Sequence, residues 1–204
     1  MKLIKQIPEF NESLGEELQN SGWSTLKEPG NLVSAIILSI PLMAINLLIA
    51  IVVIGIVSTI SFEEFGLANG SLSMSINLDI IFALLILIVT HELLHLVFIP
   101  NFIRSTKTFV GITFYGGFVA TEEEIVKSRY LLITIAPFLV GSILLPFILG
   151  VLGLLTSTFK LLILLNAMAS SVDILSFLLI VKQVPAKAIV KNNGPKTYWK
   201  DFRK

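Results

Sequence analysis

The chain has 204 residues and a formal net charge of +1; 54% of its residues are hydrophobic and only 14% are charged. Soluble proteins carry about a quarter charged residues, so this composition excludes an ordinary soluble domain and indicates an integral membrane protein. The near-neutral charge gives no reason to expect a nucleic-acid partner. The absence of cysteine excludes disulfides, thiolate zinc sites and cysteine nucleophiles.

Residues 1–31 are polar and contain several glutamates, and we expect them to form a cytoplasmic N-terminal arm. Within this arm, Phe10–Asn20 can form a short helix at the membrane surface, or the whole arm can be solvated. The apolar run from Leu32 to Ile60 follows. It exceeds the roughly 20 residues that a membrane span needs, so it is the first predicted span, and residues 61–77 are a polar loop.

The second predicted span is Leu78–Pro100, which Asn77 or Asp79 can cap. The segment after it, Thr108–Ala120, is rich in β-branched and aromatic residues. These residues surround a Gly-Gly pair at 116–117, so we expect a small β-hairpin whose turn contains the two glycines.

Two more apolar runs complete the predicted membrane domain, at Tyr130–Leu155 and Lys160–Val181. The expected fold is an all-α integral membrane protein with four transmembrane helices and a short cytoplasmic β-hairpin between the second and third. The domain organisation is an N-terminal arm (1–31), a four-span membrane domain (32–182) and a basic cytoplasmic tail (183–204). The lysines and aromatic residues of the tail suit an anionic membrane surface.

Positively charged residues are concentrated on one side of the predicted membrane. With four spans, the N-terminal arm, the hairpin loop and the C-terminal tail share one side and hold 14 of the 15 lysines and arginines. The remaining residue, Lys160, lies on the other side. The positive-inside rule therefore places both termini and the hairpin in the cytoplasm. We expect a multi-pass protein of the cell membrane, with the lipid bilayer as its surroundings.

The second predicted span contains the sequence HELLH, formed by His91, Glu92 and His95 with two intervening leucines. These are the two histidines of the chain. Positions i and i+4 share one face of a helix, so both imidazoles can bind a single metal ion. Glu92 follows the first histidine and can act as general base. Because an ionisable group at mid-membrane costs about 2.5–3.5 kcal/mol, three such groups together indicate a functional site.

A third metal ligand is expected because catalytic zinc usually has three protein ligands and one open position. With no further histidine and no cysteine, this ligand must be a carboxylate. Asp173 lies inside the fourth apolar run, at a depth that matches the histidines, about 8–14 Å from the cytoplasmic helix ends. Two alternatives remain: Asp173 is a structural carboxylate within the bundle, or a loop glutamate from residues 122–124 is the ligand.

Asn166 and Ser170 share one helix face with Asp173, because they precede it by seven and three residues. Asn166 can bind the substrate backbone or stabilise an oxyanion, or it can make a plain interhelical hydrogen bond. For Ser170, an interhelical hydrogen bond is the expected role.

Three features together resemble a known group of proteins: HELLH within a membrane span, an RY…APF stretch at 129–138 and an N…SxxD pattern at 166–173. This combination, over residues 78–182, resembles the bacterial "putative zincin peptidase" family, which is largely defined by a domain of unknown function. That family is distantly similar to intramembrane metalloproteases of the site-2-protease type.

The resemblance implies a Zn²⁺ cofactor with His91, His95 and Asp173 as metal ligands and Glu92 as catalytic general base. The chain departs from the site-2 proteases at the residues after Asn166 and Asp173, which are alanine and isoleucine rather than the proline and glycine typical of that group. Substrate specificity is therefore not transferred from them.

The predicted function is intramembrane zinc metalloproteolysis, in which peptide bonds of a membrane protein or peptide substrate are cut in the cytoplasmic half of the bilayer. An open edge of the Thr108–Ala120 hairpin can pair with an unwound substrate segment. Three alternatives remain open: a non-catalytic polar cluster, a catalytically inactive zinc-binding membrane scaffold, and a metal sensor.

Overall fold

The computed structural model of the protein describes residues 1–61, 63–68, 71–72, 78–113 and 116–202. Most of these residues are helical, and they also form three small β-sheets. The helices are α1 (Glu12–Asn20), α2 (Leu32–Val57), a 3-10 turn (Glu63–Phe65), α3 (Leu78–Phe98), α4 (Lys127–Phe138), a π-helical segment (Leu139–Leu144), α5 (Leu145–Val151), α6 (Ser157–Ala169) and α7 (Ser171–Gln183). The strands are β1 (Lys2–Leu3), β2 (Ser24–Thr25), β3 (Leu67–Ala68), β4 (Ser71–Leu72), β5 (Thr108–Thr113), β6 (Gly116–Thr121), β7 (Ile125–Val126), β8 (Ala188–Asn193) and β9 (Lys196–Asp201).

Polar side chains fix where the apolar helices begin. Asn31 and Ser34 form a reciprocal capping box at the start of α2, with side-chain-to-backbone hydrogen bonds of 2.8 and 3.2 Å. These bonds satisfy N–H groups that have no partner inside the helix. Helix α3 carries Asp79 in its first turn, while Asn77, the other predicted cap, lies outside the described residues.

The apolar helices give three or four candidate membrane spans within the described residues. Helices α2 and α3 are each long and apolar enough to cross a membrane, and so is the continuous helix Lys127–Val151 formed by α4, the π-helical segment and α5. Helices α6 and α7 make a fourth candidate if this bent pair counts as one span. The structure thus contains the apolar runs expected from the sequence.

The fourth run is broken, in contrast to the single helix that was expected. Helices α6 and α7 are bent by 40° relative to each other, and Ser170 lies at the break. Its hydroxyl donates to the carbonyl of Asn166 in its own helix, at 2.9 Å. Such a bond from serine back to residue i−4 commonly bends helices. The expectation that Ser170 would bond to another helix was therefore wrong.

Two of the apolar clusters in the core pack the helices around the histidines of α3. One lies between α2, α4 and α6 and contains Ala50, Ile54 and Ile163, all almost fully buried. The other joins the end of α3 to the start of the next long helix through buried Leu96 and Ile133. The second cluster holds α3 against α4, and the first joins α4 to α6.

The first sheet is the expected hairpin with an additional strand. Strands β5 and β6 pair antiparallel, and β1 pairs parallel with β5. Thr113 pairs with Gly116, so the glycines at 116–117 lie in β6, and the prediction that they form the turn was wrong. The residues between the strands lie outside the described residues. Strand β6 is the edge strand on the side of the sheet that contacts α3.

The second sheet joins the N-terminal arm to the C-terminal tail. Its strand order is β2-β9-β8-β7, with antiparallel pairing throughout. The alternation in β8 buries Ala188 and Val190 and leaves the intervening residues partly exposed. Gly194 follows with a φ of 57°, a conformation that glycine adopts without steric cost. Tyr198 of β9 is buried against Leu18 and Trp23 of the arm.

The prediction of an all-α fold with a single hairpin was therefore wrong. The tail was interpreted from its lysines and aromatic residues as a membrane-surface segment, although the alternation of its apolar residues around Gly194 and Pro195 is typical of a two-residue hairpin. Two of its lysines make contacts within the folded protein: Lys191 pairs with Glu124 at 3.1 Å, and the Lys196 ammonium lies 3.8 Å from the ring centre of Phe10.

Candidate metal centre

Helix α3 presents both histidines to the same space. The ring centres of His91 and His95 are 5.2 Å apart, and the rings are inclined at 73°. Each ring points Nε2 at Asp173: the distances are 3.2 Å from His91 to Oδ2 and 3.5 Å from His95 to Oδ1. Their side chains are 12% and 13% exposed, and that of Asp173 is 23% exposed. The structure thus brings the three predicted ligands together.

The break in the fourth apolar run determines the position of Asp173. Because a new helix begins at Ser171, Asp173 lies in the first turn of α7. The first turn of a helix is the end at which a carboxylate is favoured by the helix dipole. The bend that ends α6 therefore places a negatively charged side chain opposite the two imidazoles of α3.

The other nitrogen of each imidazole has an acceptor. His95 Nδ1 is 2.7 Å from the backbone carbonyl of Ile133, and His91 Nδ1 is 3.0 Å from Asn166 Oδ1. A carbonyl oxygen only accepts hydrogen bonds, so these contacts place the ring proton on Nδ1. In the neutral imidazoles, both Nε2 atoms then carry the lone pair that a metal ion requires. Contacts of this kind commonly fix the orientation of metal-binding histidines.

Asn166 lies at the centre of an interhelical network. Its Nδ2 donates to the carbonyl of Pro137 at 2.9 Å and to Ser142 Oγ at 2.8 Å. A Cβ atom at Gly141 would lie only 2.6 Å from this amide nitrogen, so a residue without a side chain is needed there. The amide is held on both of its polar atoms, and a role toward substrate or an oxyanion stays a prediction.

Glu92 lies between the histidines and strand β6. The backbone N–H of Val119 hydrogen-bonds the Glu92 carboxylate. A Cβ atom at Gly117 would lie 2.7 Å from Glu92 Cγ, so the missing side chain of this glycine lets the strand pack directly against the carboxylate. Strand β6 thereby fixes where the predicted general base lies.

These groups line one cleft of about 380 Å³ between α3, β6 and the break between α6 and α7. Glu92 and the three clustered ligands all face it, and residues 116–119 form the opposite wall. The cleft therefore brings a candidate general base, three candidate metal ligands and a strand edge into contact with the same space.

The rival carboxylates lie elsewhere. Glu123 accepts a hydrogen bond from Ser105 Oγ at 2.7 Å, and Glu124 pairs with Lys191 in the second sheet. Within the part of the chain that the structure describes, neither belongs to the group His91, His95 and Asp173, whose ligand atoms all lie within 4.8 Å of one another.

The donor set suits zinc. Two imidazole nitrogens and a carboxylate oxygen are a common catalytic zinc set, with metal–ligand distances of about 2.0–2.2 Å. Tetrahedral ligands at such distances lie about 3.4 Å from one another. Each Nε2 lies at about that distance from one oxygen of Asp173, 3.2 Å for Oδ2 and 3.5 Å for Oδ1, and one ligand atom from each of the three residues lies within 4.8 Å of the others. The residues present therefore fit a zinc ion with three protein ligands.

Several contributors were not predicted from the sequence. Gly117 was assigned to a turn, and Gly141 was considered only as a helix-packing residue. Val119 and Ile133 act through backbone atoms, which have no signature in the side-chain sequence. The available signal in the sequence is the Gly-Gly pair at 116–117, since a glycine in a strand often marks a close approach of the backbone to another group.

Comparison with known proteins agrees with this geometry. Residues 84–189, just over half of the chain, match a family described as "Putative zincin peptidase". No curated protein and no solved structure matches the chain. The matched residues include all three clustered ligands and Glu92, and the family implies zinc and peptidase activity. The resemblance found in the sequence is thereby confirmed, and the chain belongs to the "Putative zincin peptidase" family.

Proposed function

We propose that the protein is an intramembrane zinc metallopeptidase that hydrolyses peptide bonds of membrane-associated substrates in the cytoplasmic half of the bilayer. The observation that carries this proposal is the convergence of His91, His95 and Asp173 in a cleft that also contains Glu92. Both Nε2 atoms face the carboxylate, and both Nδ1 atoms are already engaged.

Metal binding and proton transfer are assigned to different residues of the cleft. His91, His95 and Asp173 would hold the zinc ion, which when bound lowers the pKa of water and polarises a carbonyl group. Glu92 accepts the proton of the attacking water and then delivers a proton to the leaving amine. One water is consumed for each peptide bond, which yields a carboxylic acid and an amine.

The apolar surface of α3 supports a site within the membrane. Phe82, Ile86 and Val89 are each more than half exposed, which suits lipid surroundings rather than water. His91 and His95 lie seven and three residues before the end of this helix at Phe98, about 5–10 Å at 1.5 Å per residue. The concentration of lysine and arginine at the same end supports a cytoplasmic position.

The edge of β6 supports binding of the substrate as an extended strand. A helical substrate hides its carbonyls in backbone hydrogen bonds, so the segment to be cut must unwind. The Val119 N–H is directed at Glu92, and within the described residues β6 has a strand partner on its β5 side only, which supports an open edge of β6 toward the cleft. An unwound segment could add to this edge by backbone hydrogen bonds, beside the general base.

The decisive variant is Glu92→Gln, tested for zinc content and for cleavage of single-span peptides in proteoliposomes. We expect about one zinc per chain in both proteins and a loss of cleavage of about 10²–10⁴-fold in the variant, the range that general acid–base catalysis supplies. Undiminished cleavage by Glu92→Gln would contradict the general-base role. A wild-type protein that binds zinc but cleaves no peptide would favour the inactive scaffold.

A further inference from the structure

A second cavity adjoins the cleft on the other side of His91. It has a volume of about 180 Å³ and lies between α3, the π-helical segment and α6. Its walls are mainly aliphatic, with Ala83, Leu87 and Leu162 among them, and they include no lysine, arginine, aspartate or glutamate. The cavity is therefore suited to an apolar group.

This cavity shares part of its wall with the cleft that contains the candidate metal ligands. Leu87, His91 and Asn166 line both spaces, so these three residues form the boundary between them. An extended peptide whose backbone lies against β6 passes this boundary, because β6 and His91 line the same cleft. A side chain next to the scissile bond therefore lies beside the wall that the cleft and the cavity share.

The polar atoms at this boundary are already engaged. His91 has Nδ1 against Asn166 and Nε2 against Asp173, and Asn166 Nδ2 is bound to Pro137 and Ser142. Thr90 adds a single hydroxyl to the lining. A charged side chain in this space would lose its hydration and gain no counter-charge, which is costly.

The size of the cavity matches one large side chain. An apolar protein cavity of about 150 Å³ stays dry and binds benzene, so about 180 Å³ accommodates a leucine or phenylalanine side chain. Ala83 is small and leaves this room open on α3, while Leu162 bounds it on α6. The two residues therefore set how large a side chain can enter.

We propose that this cavity is a specificity subsite, which receives the apolar side chain of one of the two substrate residues that flank the scissile bond. The assignment rests on the proposed peptidase function. It names the substrate class as peptides with leucine- or phenylalanine-sized side chains at that position, and it makes Ala83 and Leu162 the residues that determine the preference.

The test uses membrane-spanning peptides that differ only at the residues flanking the cleavage site, which is first located in wild type by mass spectrometry. Alanine, leucine, phenylalanine and glutamate are compared at each flanking position. We expect wild type to prefer leucine or phenylalanine over alanine by about tenfold or more in kcat/KM, since filling a hydrophobic pocket gives about 10–200-fold. Glutamate should be cleaved least.

Two variants then change the size of the cavity in opposite directions. Ala83→Leu fills it and should remove or invert the preference for large side chains, with unchanged zinc content. Leu162→Ala enlarges it and should shift the preference toward phenylalanine. The matched control is Ala44→Leu, which adds the same side chain to an exposed position of α2 and should leave the ratios unchanged.

Peptide affinity gives a readout that does not depend on turnover. Dissociation constants of the same peptides are measured with Glu92→Gln and with the double variant Glu92→Gln, Ala83→Leu. The preference for large side chains should be present in the first and lost in the second. Equal ratios in both would overturn the subsite, as would a uniform loss for all peptides, which is the result expected if a lipid acyl chain fills the cavity. If wild type cleaves no peptide, the proposed function fails, and the affinity ratios still decide the subsite.

Discussion

Helix α6 contacts two buried polar clusters, one near each end, and their geometries differ. Near its start, the Lys160 ammonium donates to Glu64 at 2.7 Å and to the carbonyl of Thr59 at 2.6 Å. Near its end, Asn166 holds one of the two imidazoles whose Nε2 atoms point at Asp173. The first cluster pairs a cation with an anion; the second gathers three groups that can each offer a lone pair.

The difference separates a structural ion pair from a binding site. Lys160 is buried, and its positive charge is neutralised by the carboxylate of Glu64. The pair therefore needs no bound ligand to balance its charge. In the second cluster, neutral His91 and His95 carry their single ring proton on Nδ1, so each Nε2 directs a lone pair toward Asp173. Three acceptors that face one another are stable when a cation lies between them. Buried charge alone is therefore a weaker sign of function than the arrangement of lone pairs.

The largest effect is expected from removing a ligand. Asp173→Asn should lower the affinity for zinc more than the 10–100-fold typical for loss of a residue that only supports a ligand, and cleavage should be lost with it. Zinc per chain after dialysis against a chelator measures this. The matched amide substitution in the other cluster, Glu64→Gln, should retain zinc and activity. Equal zinc loss in both variants would contradict the assignment of one cluster as a metal site and the other as a structural ion pair.

The next effect concerns the wall of the cleft. Gly117→Ala places a methyl group 2.7 Å from Glu92 Cγ, so either the strand or the carboxylate must move. A displacement of about 1 Å in an active site can cost about 10²-fold in rate, so we expect a fall in kcat of that order with normal zinc content. Gly55→Ala is the control, because a Cβ there meets nothing within 4 Å. Normal kcat in Gly117→Ala would show that β6 does not position Glu92.

A smaller loss is expected from Asn166→Ala, which removes the acceptor of the His91 Nδ1 proton. Zinc affinity or activity should fall by about 10–100-fold, as for other residues that orient a metal-binding histidine. Asn46→Ala is the control, since Asn46 is also buried and donates across helices, to the carbonyl of Ala167 at 3.1 Å. Both variants should lose stability, and only Asn166→Ala should lose zinc.

The smallest effect belongs to the ion pair and depends on pH. The hydrogen bond from Lys160 lowers the pKa of Glu64 below its ordinary value of 4.5. The ion pair between Glu64 and Lys160 therefore stabilises the folded state fully above pH 4.5. This contribution to the free energy of unfolding is lost as the pH falls through the lowered pKa of Glu64 in the folded state. The difference in Tm between wild type and Glu64→Gln should shrink below pH 4.5. A difference that stays constant to lower pH would contradict the assignment of this ion pair.

The sequence was informative where side-chain chemistry carries the signal. The HELLH spacing on an apolar helix, together with the lack of further histidine or cysteine, directs attention to a carboxylate, and the depth of Asp173 matched that of the histidines. The structure brings these three residues together. Four apolar runs were likewise visible, because burial in lipid or protein requires long apolar stretches.

What could not be predicted depends on backbone atoms and on tertiary pairing. The Ile133 carbonyl that orients His95 has no side-chain signature, and the break at Ser170 requires knowing that its hydroxyl turns back to Asn166. The tail was interpreted from its lysines and aromatic residues, whereas its last strand, β9, pairs with β2 of the N-terminal arm, and that pairing spans nearly the whole chain. Contacts of such sequence separation are not encoded in any local pattern.

The proposed function requires one zinc ion bound by His91, His95 and Asp173, and X-ray absorption at the zinc edge of the purified protein tests this most directly. We predict about one zinc per chain, coordinated by two imidazoles and by oxygen donors at about 2.0–2.2 Å, with one imidazole lost in His95→Ala. A wild-type protein without stoichiometric zinc, or with a spectrum that shows fewer than two imidazoles, would contradict the account.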